Sequence, residues 1–371
     1  MQSILPTPIT GGAFSQARYK IKSIFFSELC TKLLDCYLKM SCRKRWEGFL
    51  IVALDGSMSN LPSSKQIEQF FGLYSINKYE RKRYKCRLFM AYDVLNNYVL
   101  SGKLAKPFVS EFTMLMDCIG QLSGKLRKHI YVMDRYFDSF STIKSILQSD
   151  PFSQLCVRLS SVSGFYKKAV ACDKDDFIMV WYPTKKEKET CRNKGVDATP
   201  MRVRVTKVIL NSGQLEVVVS TLRSQRRYTK EDIYTLYGMR WGVEEGFKNL
   251  KPKMKLEYYG CKKAEGVYQE FYAHIFMMNM VALHGMLAQT EIEQKTDQTK
   301  YRYTYNWKTG YRLVREMVVT FFDFTQEYIE AMVERLISLF CRSKIPIKPG
   351  RKYPRDMRRT KIRTQLTHHN K

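Results

Sequence analysis

Two aspartates follow short apolar runs and could serve as metal ligands or as acid–base groups. Asp55 ends the run at 49–54, and Asp134 ends the run at 129–133. Continuous apolar runs of this length favour strands buried on both faces, and an acid at the carboxyl end of such a strand lies at a sheet edge where α/β folds bind ligands. Asp-Gly is also an ordinary turn, so the first aspartate alone is weak evidence. Asp138 competes with Asp134, but the strand end is the better position for a metal ligand.

A third acid lies in a helical segment downstream. Tyr237, Arg240, Glu244 and Lys251 occupy relative positions 0, 3, 7 and 14. On a regular helix they fall within roughly 60° of one another, at the rim of the buried face. Alternatively, Arg240 and Glu244 form a surface ion pair worth a few tenths of a kcal/mol, and Lys251 only complements the helix dipole.

The three carboxylates together match the needs of metal-assisted phosphoryl transfer. Divalent cations such as Mg²⁺ prefer oxygen ligands, and a pair of ions about 3.5–4 Å apart can assist both the attacking and the leaving oxygen. Clustered carboxylates repel one another unless cations neutralise them. Arg240, Lys248 and Lys251 supply positive charge that suits a nucleic-acid backbone.

The spacing Y-(2)-R-(3)-E-(6)-K at 237–251 resembles the signature of the insertion-sequence transposases of the fourth family. The segment LDGSMSNLP at 54–62 is similar to the first-aspartate block of that family, and YVMDRYFDS at 131–139 is similar to its second. The segment AFSQAR at 13–18 resembles an entry segment of the same enzymes. The resemblance covers roughly residues 13–290.

This resemblance implies a ribonuclease H-like α/β fold, in which a mixed-sheet catalytic core is interrupted by a β-rich insertion. It implies a catalytic triad of Asp55, Asp134 and Glu244 that binds two Mg²⁺ ions, with Mn²⁺ as a substitute. The expected reaction is cleavage at the ends of a mobile element and transfer of those ends into target DNA. The expected partners are terminal inverted repeats, target DNA and a second copy of the chain.

The resemblance further implies that Tyr237, Arg240 and Lys251 contact phosphates of the transferred DNA end. Arg135 is a phosphate contact or a surface ion pair with about equal weight, since such pairs contribute little. Some of these relatives stack a flipped base on an aromatic ring of the insertion. Trp181 and Tyr182 are both available for that role, and the sequence does not choose between them.

Composition supports a polyanionic partner and excludes wholesale disorder. Sixty-three Lys and Arg against thirty-five Asp and Glu give a formal net charge of +28, and 44% of the residues are hydrophobic. Such an excess of positive charge favours nucleic acid first and an anionic membrane second. The ten cysteines show no paired metal-site spacing, which indicates a reducing compartment such as the bacterial cytoplasm. The start of the chain lacks a signal-peptide pattern, and the apolar segment 271–289 is expected to be a buried helix.

The chain divides into five predicted regions. These are a helical DNA-binding segment at 1–48, the first part of the core at 49–163, a β-rich insertion at 164–222, the second part of the core at 223–290, and a helical C-terminal region with a basic tail at 291–371. The predicted insertion contains strands at 177–182, 203–210 and 215–222. Only 54 residues precede Asp55, so recognition of the DNA ends is expected to involve 14–48, the insertion and the tail together.

Two other functional classes remain open at this point. One is a catalytically silent DNA-binding protein derived from such an element, and the other is a ribonuclease H-like nuclease that only hydrolyses DNA. Retention of all three acids argues against the silent protein. A strand-transfer assay on a precut end would distinguish the nuclease.

Overall fold

The computed structural model describes residues 10–75, 82–210, 213–318 and 325–348. Within these residues, eight strands form one mixed sheet. In chain order they are β1 (Leu50–Asn60), β2 (Lys85–Asp93), β3 (Tyr98–Ala105), β4 (His129–Met133), β5 (Ser153–Arg158), β6 (Asp176–Trp181), β7 (Met201–Ile209) and β8 (Leu215–Ser220). A separate antiparallel pair consists of β9 (Tyr303–Thr304) and β10 (Ile345–Pro346).

Helices cover both faces of the sheet and one end of the protein. In chain order they are α1 (Gly11–Arg18), α2 (Ser23–Lys39), α3 (Lys65–Phe71), α4 (Glu111–Leu122), α5 (Phe140–Ser149), α6 (Gly164–Val170), α7 (Lys185–Asn193), α8 (Lys230–Gly238), α9 (Gly242–Lys248), α10 (Ala264–Thr296), α11 (Trp307–Met317) and α12 (Gln326–Arg342).

The strand order across the main sheet is β3-β2-β1-β4-β5-β8-β7-β6. β1 pairs antiparallel with β2 and parallel with β4, and β4 pairs parallel with β5. The predicted fold class is therefore confirmed: the protein is a mixed α/β protein with a sheet of the ribonuclease H-like kind. The central position of β1 explains its continuous apolar run, since it has neighbours on both edges and helices on both faces.

The residues of β1 alternate between the two helical layers. Leu50, Val52 and Leu54 pack with α4 and α5 on one face, whereas Ile51 and Ala53 pack on the other face with α8 and α9. Successive strand residues point to opposite faces. Asp55 therefore continues the row that faces α8 and α9, and the next residue continues the row that faces α4.

The region 164–222, which is predicted to be a β-rich insertion, does not form a sheet separate from that of the core. Its three predicted strands are present as β6, β7 and β8, but β8 pairs antiparallel with β5 and so extends the core sheet. Two helices, α6 and α7, also lie in this region. Strand patterning identifies strands but does not identify their partners. The boundaries of the five regions stay predictions.

Within the segment 1–48 that is predicted to be helical, the short stretch 19–22 separates α1 from α2. α2 packs along α10, and Arg18 holds Glu270 of α10 in an ion pair of 2.7 Å. Among the described residues, α10 is the one helix long and apolar enough to cross a bilayer, and half of its most apolar window is buried inside the protein. This length and composition are shared by core helices of soluble proteins. The distal part of the basic tail, 349–371, lies outside the described residues.

The segment from Thr229 to Lys253 is helical but is not one regular helix. Thr229 caps α8 in a reciprocal capping box with Asp232, as the sequence indicates. A 3-10 turn at Met239–Trp241 then separates α8 from α9, and a π turn at Asn249–Lys253 follows α9. The regular helical geometry predicted for 237–251 is therefore absent from the structure.

Candidate active site

Asp55 and Asp134 lie side by side on neighbouring parallel strands. Leu54 pairs with Met133 in the β1–β4 register, and the two aspartates are the next residue on each strand. The backbone amide of Gly56 donates to Asp55 Oδ1 at 2.8 Å, and the amide of Tyr136 donates to Asp134 Oδ1 at 2.9 Å. Local backbone bonds thus orient both carboxylates beside the end of β4, although β1 continues to Asn60 and does not end at Asp55 as predicted.

The surroundings of Asp55 oppose ionisation of its carboxyl group. Burial is the main cause that raises the pKa of Asp55 to about 7, and the neighbouring charge of Asp134 is the next. The Gly56 amide and the positive charge of Arg240 both act to lower this pKa, while Glu111 raises it. A carboxylate pair of this kind binds a cation well, because the cation offsets both the repulsion and the loss of hydration.

Glu244 lies on α9, which packs against β1 and β2. Its carboxylate is 3.6 Å from the Arg240 guanidinium, and about a third of its side chain (37%) is exposed. The ion pair of the surface-pair alternative is therefore present, but its Arg240 side chain is buried, with only 8% exposed.

Arg240 is the buried cation of this site. The residue is 7% exposed, and its guanidinium lies 4.5 Å from the centre of the Trp241 ring. Its Nε atom has no hydrogen-bond partner among the described residues. A buried donor without a partner is costly, so this position favours an acceptor supplied by a ligand.

Tyr237 and Lys251 are less accessible than the sequence analysis expects for DNA contacts. Tyr237 packs in the apolar cluster with Ile130 and Val132, and burial raises its pKa. Lys251 is half-buried and binds β1: its Nζ atom donates to Ser57 Oγ at 2.6 Å and to the Met58 carbonyl at 2.5 Å. Burial lowers the pKa of Lys251.

The two remaining predicted DNA contacts lie on the surface. Arg135 is exposed in the turn that follows Asp134. Lys248 is exposed on α9 and pairs with Glu245 at 2.5 Å.

The structure brings Asp55 and Asp134 together, whereas Glu244 lies on α9 in an ion pair with Arg240. Among the described residues, no three His, Cys, Asp or Glu side chains converge closely enough to hold one ion. Asp55 and Asp134 fit a divalent cation by donor type and charge, whereas Glu244 would have to leave Arg240 to join them.

Glu111 is a further carboxylate near the aspartates, and no sequence pattern predicts it. Glu111 is the first residue of α4 and pairs with Arg87 of β2 at 2.5 Å. The charge of Glu111 is one cause of the raised pKa of Asp55. The pKa of Glu111 is itself raised, first by burial and also by the charge of Asp134, whereas Arg87 acts to lower it. No spacing pattern indicates it, because α4 reaches the site only through the pairing of β1, β2 and β3.

The comparisons with known proteins agree with this geometry at the level of a family. Residues 46–280 match the family described as the transposase DDE domain. No curated protein matches the chain. One solved structure with a similar fold is a piggyBac transposase synaptic complex with hairpin DNA, at 11% identity and a TM-score of 0.43. The similarity covers 79% of this chain and 53% of that chain, so the present chain spans about half the length of that relative. The family match includes both aspartates and Glu244 and extends over more than half of the sequence, and on this ground the chain belongs to the transposase DDE domain family.

Proposed function

We propose that this protein is a cut-and-paste transposase of an insertion sequence, similar to the fourth family. The observation that carries the proposal is the parallel register that sets Asp55 beside Asp134, with the Arg240–Glu244 pair packed against the same strand. Family membership supports nucleic-acid cleavage and strand transfer. The insertion-sequence origin rests on the motif Tyr237, Arg240, Glu244 and Lys251.

In the proposed site, Asp55, Asp134 and Glu244 hold divalent cations, with Mg²⁺ expected and Mn²⁺ as a substitute. Cations bound there would activate the attacking oxygen and stabilise charge on the phosphodiester. When DNA phosphate provides an acceptor for Arg240, the guanidinium is satisfied and Glu244 is free to turn toward the aspartates. The buried, partnerless Nε of Arg240 supports this exchange.

Double-stranded DNA is the proposed substrate, both as terminal inverted repeats and as target. Arg135 and Lys248 would bind the approaching backbone, while Tyr237 and Lys251 would position the reacting end. Strand transfer of two ends needs two active sites held together, so we propose a homodimer assembled on DNA. The excess positive charge of the chain supports binding to phosphate but carries no sequence information.

A cleavage and joining assay tests the proposal. The substrate is DNA that carries the inverted repeats flanking the gene, with Mg²⁺, and the variants are Glu244→Gln and Glu245→Gln. Glu245 is a matched control because it is the adjacent carboxylate on α9 and pairs with Lys248 at the surface. We expect wild type and Glu245→Gln to cut and join, and Glu244→Gln to lose about a hundredfold or more in rate, which corresponds to several kcal/mol of transition-state stabilisation.

Three outcomes would contradict the proposal in different ways. Equal cleavage by wild type and Glu244→Gln would overturn the triad. Salt-sensitive DNA binding by the wild type without cation-dependent nicking would identify a silent DNA-binding protein. Cleavage without joining of a precut end that has a free 3′-hydroxyl would identify a hydrolytic nuclease.

A further inference from the structure

Two large apolar side chains are exposed next to each other beyond the ends of β2 and β3. Phe70, in the last turn of α3, is 42% exposed, and Phe108, in the loop between β3 and α4, is 68% exposed. The ring of Phe108 lies beside the half-buried ring of Tyr74, with ring centres 5.5 Å apart. Single exposed apolar residues are ordinary, but a group of exposed rings indicates a surface that contacts a partner. We call Phe70, Tyr74 and Phe108 the aromatic platform.

Positively charged side chains lie against the same rings. Lys85 Nζ is 5.3 Å from the centre of the Tyr74 ring, and Lys106 Nζ is 5.1 Å from the centre of the Phe70 ring. Arg83 is exposed, and its backbone pairs with that of Tyr74 through two hydrogen bonds of 2.8 Å. The aromatic platform therefore combines apolar ring faces with three cations.

The acidic side chains of the adjoining segments have other partners. Glu68 accepts from the Tyr84 hydroxyl at 3.2 Å, and Glu111 pairs with Arg87 at 2.5 Å. Glu257 accepts hydrogen bonds from the last two residues of β1. Within the described part of the chain, no ion pair thus offsets the positive charge beside the rings.

The aromatic platform lies further along β1 in the direction in which Asp55 follows the apolar run. β1 continues from Asp55 to Asn60, and Asn60 pairs with Lys85 of β2. Five strand residues span about 17 Å, which equals about five base steps along one strand of DNA. Arg87 Nε donates to the Pro107 carbonyl at 3.3 Å and so fastens the loop after β3 to β2. A DNA strand held at the aspartates therefore reaches the platform within a few nucleotides.

Exposed rings with cations beside them match the chemistry of unpaired nucleotides. The flat face of a base stacks on an aromatic ring, while ammonium and guanidinium groups neutralise the phosphates on either side. In a duplex the bases stack on one another, so their faces are not open to a protein ring. A protein partner matches this surface less well, because protein–protein interfaces are depleted in lysine.

We propose that the aromatic platform binds single-stranded DNA beside the cleavage site, with bases stacked on Phe108 and Phe70 and phosphates held by Lys85 and Lys106. The inference rests on the proposed function, because it assigns a place to one strand of the DNA substrate. This surface is separate from the aromatic residues of the region 164–222. Trp181 ends β6, and β6 lies at the opposite edge of the sheet from β3.

Fluorescence anisotropy tests the proposal on the full chain. The probes are labelled oligothymidylate and a labelled duplex of the same length, in a chelating buffer that prevents cleavage. We expect Phe108→Leu to weaken single-strand binding about fivefold or more, which is the contribution of one stacked base, and to leave duplex binding unchanged. Phe108→Tyr retains a ring and should bind the single strand as wild type does.

Lys106→Gln tests the phosphate contact separately from the stacking. We expect it to reduce the slope of log affinity against log salt for the single strand by about 0.7, the value of one phosphate contact. Phe108→Leu changes no charge and should leave that slope unchanged. An oligonucleotide that carries 5-iodouracil, which cross-links on illumination to the ring on which it stacks, should be found on Phe70 or Phe108 after peptide mapping.

Phe152→Leu is the matched control. Phe152 is 70% exposed, close to the 68% of Phe108, and it directly precedes β5. β5 begins beside His129, so Phe152 lies at the end of the parallel strands away from Asp134. We expect Phe152→Leu to bind both probes as wild type does. Thermal unfolding checks the fold of every variant, and Phe70→Leu is a second ring variant of the aromatic platform.

The outcomes separate the inference from the proposed function. The inference fails if Phe108→Leu and Phe70→Leu bind the single strand as tightly as wild type, or if they lose duplex binding to the same extent. A wild type that shows the ring dependence but does not cut DNA with Mg²⁺ retains the platform and loses the proposed catalytic site. A wild type that cuts and joins DNA without any ring dependence retains the proposed function and loses the platform.

Discussion

Lys251 binds the strand that carries Asp55: its ammonium group donates to Ser57 Oγ at 2.6 Å and to the Met58 carbonyl at 2.5 Å. This contact joins the π turn after α9 to the part of β1 that extends past the end of β4. Lys251, which is expected to contact DNA, thus also links the segment that carries Glu244 to the strand that carries Asp55. The two roles lead to different predictions for Lys251 and for the nearby Lys248.

Lys251→Met should destabilise the protein, whereas Lys248→Met should not. Lys251 makes two hydrogen bonds from a charged donor, and loss of such bonds costs about 1.5–3 kcal/mol. Lys248 is exposed and, in the described part of the chain, pairs with Glu245 alone, so its replacement should change the free energy of unfolding by less than about 0.5 kcal/mol. Urea denaturation of both variants checks this. Equal stabilities would show that the contact with β1 contributes nothing.

Asp55→Asn should stabilise the cation-free protein at neutral and alkaline pH. Folding raises the pKa of Asp55 from 3.8 to about 7, so ionisation of Asp55 opposes folding. The contribution of Asp55 to stability therefore falls as pH rises from about 4 to about 7, and stays lower above pH 7. Asparagine resembles the neutral acid and removes this loss. We expect a gain on the order of 2–4 kcal/mol at pH 8 that disappears below pH 4.

Denaturation in a chelating buffer at pH 4, 6 and 8 measures this difference. Glu245→Gln is the control, because its carboxylate is exposed and its replacement should leave the pH dependence unchanged. A gain of the same size at pH 4 and pH 8 would mean that Asp55→Asn acts through packing and not through charge. Added Mg²⁺ should stabilise wild type more than Asp55→Asn, because the cation binds the ionised acid.

Trp181 and Tyr182 should differ sharply in their effect on folding. Trp181 is 2% exposed and stacks on Phe165 with ring centres 4.1 Å apart, whereas Tyr182 is 64% exposed. Trp181→Ala should therefore cost about 3–5 kcal/mol, and Tyr182→Ala should be nearly neutral. Thermal unfolding of the two variants is the measurement. If Trp181→Ala leaves stability unchanged, the ring is not a core residue and becomes available to stack on a flipped base.

Local patterns predicted the elements of the site more successfully than their assembly. The apolar run before Asp55 predicts β1, although the strand continues to Asn60 because β2 extends as a partner to Lys85. Thr229 and Asp232 predict the start of α8, and the capping box is present. These features depend on neighbours in sequence, so one sequence is enough to identify them.

Features that depend on distant partners could not be predicted in the same way. Regular helical spacing does not include the 3-10 turn that precedes α9 or the π turn that contains Lys251. Glu111 reaches Gly56 only after three strands have paired. α11, at Trp307–Met317, lies within the C-terminal region that is predicted to be helical, but its bounds were not predicted.

The attachment of β8 to β5 has a consequence for any attempt to shorten the protein. The region 164–222 is predicted to be an insertion, but its strand β8 continues the hydrogen-bonded sheet from β4 and β5, and Asp134 directly follows β4. Excision of 164–222 would leave the outer side of β5 with bare amides and carbonyls, which invite pairing with another chain. A minimal version of this protein would consequently need a substitute strand at that position, and domain exchange between relatives would have to preserve the pairing of β8 with β5.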